Sequence, residues 1–252
     1  MKKIIFNLIL VSYLFLTSCT MSHVNSDFKN PPTKSFVQIL QTTKIDSCVN
    51  KKDPLCPIGV YRQTGSGMAI NLIAGQMTVL TAGHVCDTRP DPNKIDGVNQ
   101  TVVVLDHTQT VHQAWPVLIN HHNDTGSADL CLLWVPTLEV KKINFSYKEP
   151  VIGDELIYIG APLGIYHPPT VPIFKGLYSG KISASSSMVT FPATGGSSGA
   201  AVLNKKNKIV GVVFAANPHL KSITLVTGYV PLKLFLQKAK SKLLKNINNT
   251  QP

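Results

Sequence analysis

Thr194-Gly195-Gly196-Ser197-Ser198-Gly199-Ala200-Ala201 is a glycine-rich turn that opens onto the strand-like apolar run Ala200 to Leu203. A serine hydroxyl is a weak nucleophile at its free pKa, so it needs a base beside it and N–H donors aimed at the charge developing on the attacked carbonyl. Glycines let the backbone turn sharply and approach a substrate closely, but glycine and serine pairs also mark plain loops. The stretch becomes a candidate site only if partners exist elsewhere. Two lie upstream. Thr81-Ala82-Gly83-His84-Val85-Cys86 follows the apolar run Met77 to Leu80 and places a histidine where a strand ends. Ser127-Ala128-Asp129-Leu130-Cys131-Leu132-Leu133 places a carboxylate at the mouth of another apolar strand. The chain order is then His84, Asp129, Ser198: a base, a carboxylate to hold its tautomer, and a nucleophile.

These residues resemble the trypsin-like serine proteases, and most of all their HtrA-type bacterial branch. Gly65-Ser66-Gly67-Met68, ahead of the histidine strand, belongs to the same resemblance. So do Gly153-Asp154-Glu155-Leu156-Ile157-Tyr158-Ile159-Gly160-Ala161-Pro162-Leu163-Gly164, with its Gly-x-Pro-x-Gly ending, and Ile209-Val210-Gly211-Val212-Val213. The resemblance implies an all-β fold of two antiparallel six-stranded β-barrels with the active site between them, and hydrolysis of protein or peptide substrates. Ser198 would attack the peptide carbonyl, His84 would act as base and then acid, and Asp129 would orient His84. The backbone N–H groups of Gly196 and Ser198 would form the oxyanion hole. Ser197 stands where the family has Asp or Asn, and Ala200 where it has glycine. By the same resemblance Pro192 falls at the base of the substrate pocket, with Phe214, Ala215 and Ala216 along its wall and Tyr229 nearby. The pocket-building segments lie in a region without Asp or Glu, which argues against Lys or Arg specificity and for a small-to-medium apolar side chain. A catalytically inactive protein-binding module on the same fold is the alternative; the presence of all three triad residues favours the enzyme.

Rival readings of the same residues are weaker. Gly195-Gly196-Ser197-Ser198-Gly199 also fits the Gly-x-Ser-x-Gly elbow of α/β-hydrolases, with Ser197 as nucleophile, but that fold needs an acid and a histidine after the serine. Only His219 follows and no carboxylate does. Asp124 competes with Asp129, yet it sits in the polar cluster His121-His122-Asn123-Asp124, which reads as a loop. Adjacent histidines in a strand point to opposite faces, and no Cys/His spacing completes a zinc site, so neither a metal nor a cofactor is expected.

The 252 residues carry a formal net charge of +11, and no acidic residue follows Glu155. The lysines are scattered without interleaved aromatics or a nucleic-acid motif, which argues for a solvated surface and against a nucleic-acid partner. At the start, Lys2 and Lys3 precede the apolar Ile4 to Leu16 and then Leu16-Thr17-Ser18-Cys19. This resembles a lipoprotein signal peptide over residues 1–19, with Cys19 carrying lipid and anchoring the chain to membrane; an ordinary secretory signal is the alternative. Either implies export, to the bacterial cell envelope or beyond it. Residues 20–34, with Asn30-Pro31-Pro32, read as a flexible tether. Cys48, Cys56, Cys86 and Cys131 then remain for an oxidising compartment, with three possible connectivities. A small loop between Cys48 and Cys56 is one possibility, and Cys131 reads equally well as a buried thiol.

Short apolar runs separated by Gly, Pro, Asn and Asp recur up to residue 231 and favour strands. Candidates for the first barrel, about 35–140, are Phe36 to Leu40, Gly67 to Ile73, Met77 to Thr81, Thr101 to Leu105, Val111 to Asn120 and Leu130 to Val135. For the second, about 148–231, they are Glu155 to Gly160, Thr170 to Ser179, Met188 to Phe191, Ala200 to Leu203, Ile209 to Ala215 and Ile223 to Val230. Apolar residues at helical spacing from Leu232 to Leu244 predict a C-terminal helix over about 232–246, packed on the second barrel. The protease-like domain is thus expected over 35–246, and no second module such as a PDZ domain is read after it.

Overall fold

Leu130–Trp134 and Ala201–Leu203 are apolar at successive positions rather than alternate ones, and the fold shows why. The computed structural model of the chain describes residues 28–51, 55–87, 90–121, 128–220 and 222–249. Six strands close the first barrel: β1 (Phe36–Cys48), β2 (Gly59–Ile70), β3 (Thr78–Thr81), β4 (Ile95–Leu105), β5 (Val111–Asn120) and β6 (Leu130–Trp134). Six more close the second: β7 (Glu155–Ile159), β8 (Ile173–Lys181), β9 (Ser186–Val189), β10 (Ala201–Leu203), β11 (Ile209–Ala216) and β12 (Thr224–Thr227). All pairings within the barrels are antiparallel, and the strand order β1-β2-β3-β6-β5-β4 is repeated as β7-β8-β9-β12-β11-β10.

Successive side chains on a strand point to opposite faces. On β6, Cys131 and Leu133 enter the interior of the first barrel with Val37, Ile39 and Val79, while Leu130 and Leu132 face the layer between the barrels. On β10, Val202 joins Tyr158, Phe191 and Val213 inside the second barrel, while Ala201 and Leu203 face that same layer. Strands buried on both sides have no polar face, which is why their sequences do not alternate.

The expected strands are found, with three informative differences. β1 runs on to Cys48, and β2 and β4 begin at Gly59 and Ile95, well outside their apolar runs. The added halves pair through polar positions such as Gln41 with Gln63 and Thr42 with Arg62. Gln41 Nε2 also donates to Gln100 Oε1 at 3.1 Å, and the Cys48–Cys56 disulfide lies at the far end. Gln41 and Thr43 are buried in this half although polar, so it leaves little hydrophobic signature. The second concerns Cys131, which is not a free buried thiol but is bonded to Cys86.

The third is the C-terminal helix. It spans Tyr229–Asn249 and so begins before Pro231, a residue tolerated in a first turn because its missing N–H would have no partner there. Leu232, Phe235, Leu236, Ala239 and Leu243 form its buried stripe. They pack into the layer between the barrels, beside β5 and β6 as well as β11, rather than on the second barrel alone. Among the described helices none is long and apolar enough to cross a membrane.

The helix therefore acts as a strut across both barrels. Phe235→Ala should cost about 3–5 kcal/mol in chemical denaturation, as large cavities in packed cores do, while Leu234→Ala should cost under about 0.5 kcal/mol. Leu234 is 60% exposed on the same helix.

Candidate active site

His84 lies in the short helix α1 (Gly83–Cys86), which follows β3 with only Ala82 between them. Asp129 immediately precedes β6, which pairs with β3 through Thr81 and Cys131. Strand pairing thus brings two residues 45 positions apart into contact. Asp129 is 3% exposed. Its Oδ1 accepts the backbone N–H of His84 at 3.0 Å, and its Oδ2 is paired with His84 Nδ1. The carboxylate therefore grips the histidine by backbone and ring, leaving Nε2 as the ring nitrogen turned from the acid. The His84 side chain is 42% exposed, so the pair joins a buried acid to an accessible base.

Gly83 is required for this approach. A Cβ there would fall 2.0 Å from the Asn120 carbonyl oxygen and 2.6 Å from Asp129 Oδ1. Two residues beyond each member of the pair, Cys86 is bonded to Cys131. Closing a loop of 45 residues contributes roughly 3–4 kcal/mol by chain entropy. It also ties the segment bearing the histidine to the strand following the acid.

Ser198 comes from the second barrel, on the turn before β10. The turn is closed by Ser197 N–H donating to Thr194 O at 2.9 Å and Ala200 N–H donating to Ser197 O at 3.0 Å. The two adjacent serines differ sharply. Ser197 is 1% exposed, its Oγ 3.4 Å from the Tyr158 hydroxyl and within 3.3 Å of the Thr194 amide. Burial, eased slightly by the Ser197 contact, pushes the Tyr158 phenol up to about 12. At the position where the family resemblance implies Asp or Asn, Ser197 keeps a hydroxyl in a neutral hydrogen-bonded pocket. Ser198 is half-buried and lines a cavity of about 290 Å³.

That cavity is walled by Ala193, Thr194, Gly195, Val213, Ala215, Ala216, Asn217 and Pro218, with no carboxylate among them. Ala215 and Ala216 are on this wall, and Pro192 and Phe214 are not. Pro192 is exposed, and its carbonyl accepts the Tyr158 hydroxyl at 2.7 Å. Phe214 points the other way, into the core of the first barrel with Val85, Cys86 and Cys131. The pairing of β11 with β12 is interrupted between Val213 and Ala215, and there the chain turns Val213, Ala215 and Ala216 to the cavity and the Phe214 ring away from it. Asp124 and His122 lie outside the described residues, as does Cys19. His121 sits 3.5 Å from Asp87.

One residue that the sequence marks only as part of a motif joins the halves. Ser66, on β2, donates its backbone N–H to Ser198 O at 2.8 Å and its hydroxyl to Gly196 O at 2.7 Å. The same hydroxyl accepts the Ala161 N–H at 3.0 Å, and the Ser66 carbonyl accepts the Thr81 hydroxyl at 2.8 Å. One serine therefore fixes the Ser198 turn, the loop after β7 and the strand leading to His84. Its signal was the Gly65-Ser66-Gly67 motif, whose glycines admit the close approach. A Cβ on Gly65 would lie 2.5 Å from Val85 and 3.2 Å from the Ser198 carbonyl oxygen, so the histidine helix and the serine turn flank one residue.

Gly196 has φ of +87°, and a Cβ there would meet the Ala161 carbonyl oxygen at 2.4 Å. The preceding carbonyl, of Gly195, accepts the Leu163 N–H at 2.6 Å. In a trans peptide N–H and C=O point in opposite directions, so the Gly196 N–H is turned away from that loop.

A family model described as a trypsin-like peptidase domain matches residues 65–212. No curated protein matches the chain. Among solved structures it is similar to the active form of the Rv3671c protease from M. tuberculosis, at 19% identity and a TM-score of 0.62, with 87% of this chain and 86% of that one covered. It is similar also to the serine endoprotease from Yersinia pestis, at 16% identity and a TM-score of 0.60, covering 86% of this chain and 66% of that one. At these identities the likeness establishes the fold.

Ser66→Ala would leave the Ala161 N–H and a Gly196 carbonyl lone pair without partners in a buried site, at a cost of about 1–3 kcal/mol. Ser197→Ala removes only long contacts and should cost less. Urea denaturation of the two variants checks the order, and equal costs would remove Ser66 from its joining role.

Proposed function

The chain belongs to the trypsin-like peptidase domain family, and we propose that within it this protein is an exported serine endopeptidase. The observation that carries the reading is the pairing of buried Asp129 with accessible His84 beside the turn on which Ser198 faces a cavity.

In this mechanism Ser198 Oγ attacks the scissile carbonyl carbon while His84 Nε2 takes its proton. Asp129 holds Nδ1 protonated and stabilises the imidazolium. The tetrahedral intermediate's oxyanion is met by the N–H groups of Gly196 and Ser198, the former oriented by the hydrogen bond between Gly195 O and Leu163 N–H. His84 then gives the proton to the leaving amine, and the C–N bond breaks to leave an acyl-enzyme. Water, deprotonated by His84, attacks the ester and releases the carboxylate and free Ser198. The carboxylate-free cavity accepts a small-to-medium apolar side chain and offers nothing to a Lys or Arg.

The same reading places the protein outside the cytoplasm. Residues 1–19 serve as a lipoprotein signal, Cys19 carries the lipid that holds the chain to an envelope membrane, and 20–34 link it to the protease domain of 35–246, with the stretch from Phe28 held against the fold.

Cleavage of a mixed peptide library, followed by mass spectrometry, tests the activity. Hydrolysis after small or medium apolar residues is expected, with kcat lowered by at least about 10⁴-fold in Ser198→Ala and His84→Ala and by about 10⁴-fold in Asp129→Asn. A folded wild-type chain that cleaves nothing would identify an inactive binding module instead.

A further inference from the structure

A cavity of about 440 Å³ on the surface is lined by Lys34, Lys141, Lys142, Lys206 and Lys208 and by no carboxylate. Lys34, Lys141 and Lys206 are exposed, and none of the three is in an ion pair among the described residues. Of the acids around the cavity, Glu149 lies 2.9 Å from Lys181 and Glu155 lies between Lys175 at 2.5 Å and Lys205 at 2.6 Å, while exposed Glu139 and Asp154 are outnumbered by the five lysines. At the edge of the lysines Tyr147 is 91% exposed with Lys208 Nζ 5.3 Å from its ring centre. An amphipathic ring beside lysines is the residue type found at the surface of bilayers.

The N-terminal segment joins the fold on this face, because Asn207 Nδ2 donates to the carbonyls of Lys29 at 2.9 Å and Asn30 at 3.2 Å. Phe28 is nine residues from Cys19, a span of at most about 30 Å when extended. The face is also opposite the candidate active site. His84 follows the C-terminal end of β3, whereas Gln76, whose carbonyl accepts Lys142 Nζ at 3.1 Å, precedes its start. Asp129 and Ser198 precede β6 and β10, and the lysines lie on the segments that leave the far ends of those strands.

We propose that this lysine face docks on a membrane surface rich in anionic headgroups and holds the proteolytic cleft pointing away from the bilayer. The inference rests on the lipid-anchored reading of Cys19. The anchor alone sets only a maximum distance. Lysines near an anionic surface are attracted to it within a Debye length, and their convergence beside the tether converts tethering into a fixed orientation.

The test uses the full lipid-bearing chain reconstituted on phosphatidylcholine vesicles and on vesicles one quarter phosphatidylglycerol, with acetylation of each lysine by a water-soluble reagent followed by mass spectrometry. Lys34, Lys141 and Lys206 should react at least about threefold more slowly on the anionic vesicles, with the protection abolished by about 0.5 M salt. Lys44 and Lys94 serve as controls and should not change. The double variant Lys141→Glu, Lys206→Glu should lose the protection at Lys34 while remaining vesicle-bound through its anchor. Equal rates on both vesicles would overturn the proposal, as would the same protection produced on phosphatidylcholine by glycerol phosphate or by duplex DNA. Failure to remain on phosphatidylcholine vesicles would refute the anchor separately, since protection on the anionic vesicles still reads the face.

Discussion

The carboxylate of Asp129 is the constraint around which the first barrel is arranged. Burying an unpaired carboxylate costs several kcal/mol, so its place beneath the histidine holds only while both oxygens have donors. His84 supplies both, one from its backbone and one from its ring. Gly83 must then lack a side chain, and pairing between β3 and β6 must hold its register at Thr81 and Cys131. The Cys86–Cys131 disulfide limits how far the two segments can separate. A histidine fixed in tautomer and direction is the outcome.

That half of the site is useful only if the second barrel presents a serine to it. Ser66 makes this connection at three points, and Gly199 makes it possible. Gly199 has φ of +88°, and a Cβ there would lie 2.0 Å from both the Ser66 carbonyl oxygen and Thr81 Oγ1. On the far side of the barrels, Phe235 and Leu236 of the C-terminal helix pack into the layer shared by β6 and β10. The barrels are held together by polar contacts at the cleft and apolar ones behind it. The cleft stays open to solvent while its backbone is fixed.

Much of this was legible in the sequence. His84, Asp129 and Ser198 stand out because each abuts an apolar run, and the runs mark strands. The choice of Ser198 over Ser197 also agrees with burial, since Ser197 is enclosed beside Tyr158. Other features carry no one-dimensional signal. The outer halves of β1, β2 and β4 are stabilised by cross-strand polar pairs and were invisible to a search for hydrophobic runs. The resemblance assigns Phe214 and Pro192 to the pocket by their place along the chain, which does not specify where a side chain points. The partner of Cys131 lies 45 residues away and depends on strand register.

The central claim is that Ser198 is a nucleophile activated by His84. Reaction of the folded chain with a serine-directed fluorophosphonate probe, with the adduct located by peptide mass spectrometry, tests it most directly. The account predicts a single adduct on Ser198 that is lost in His84→Ala and retained in Ser197→Ala. An adduct on Ser197, or labelling of Ser198 that survives the removal of His84, would contradict it.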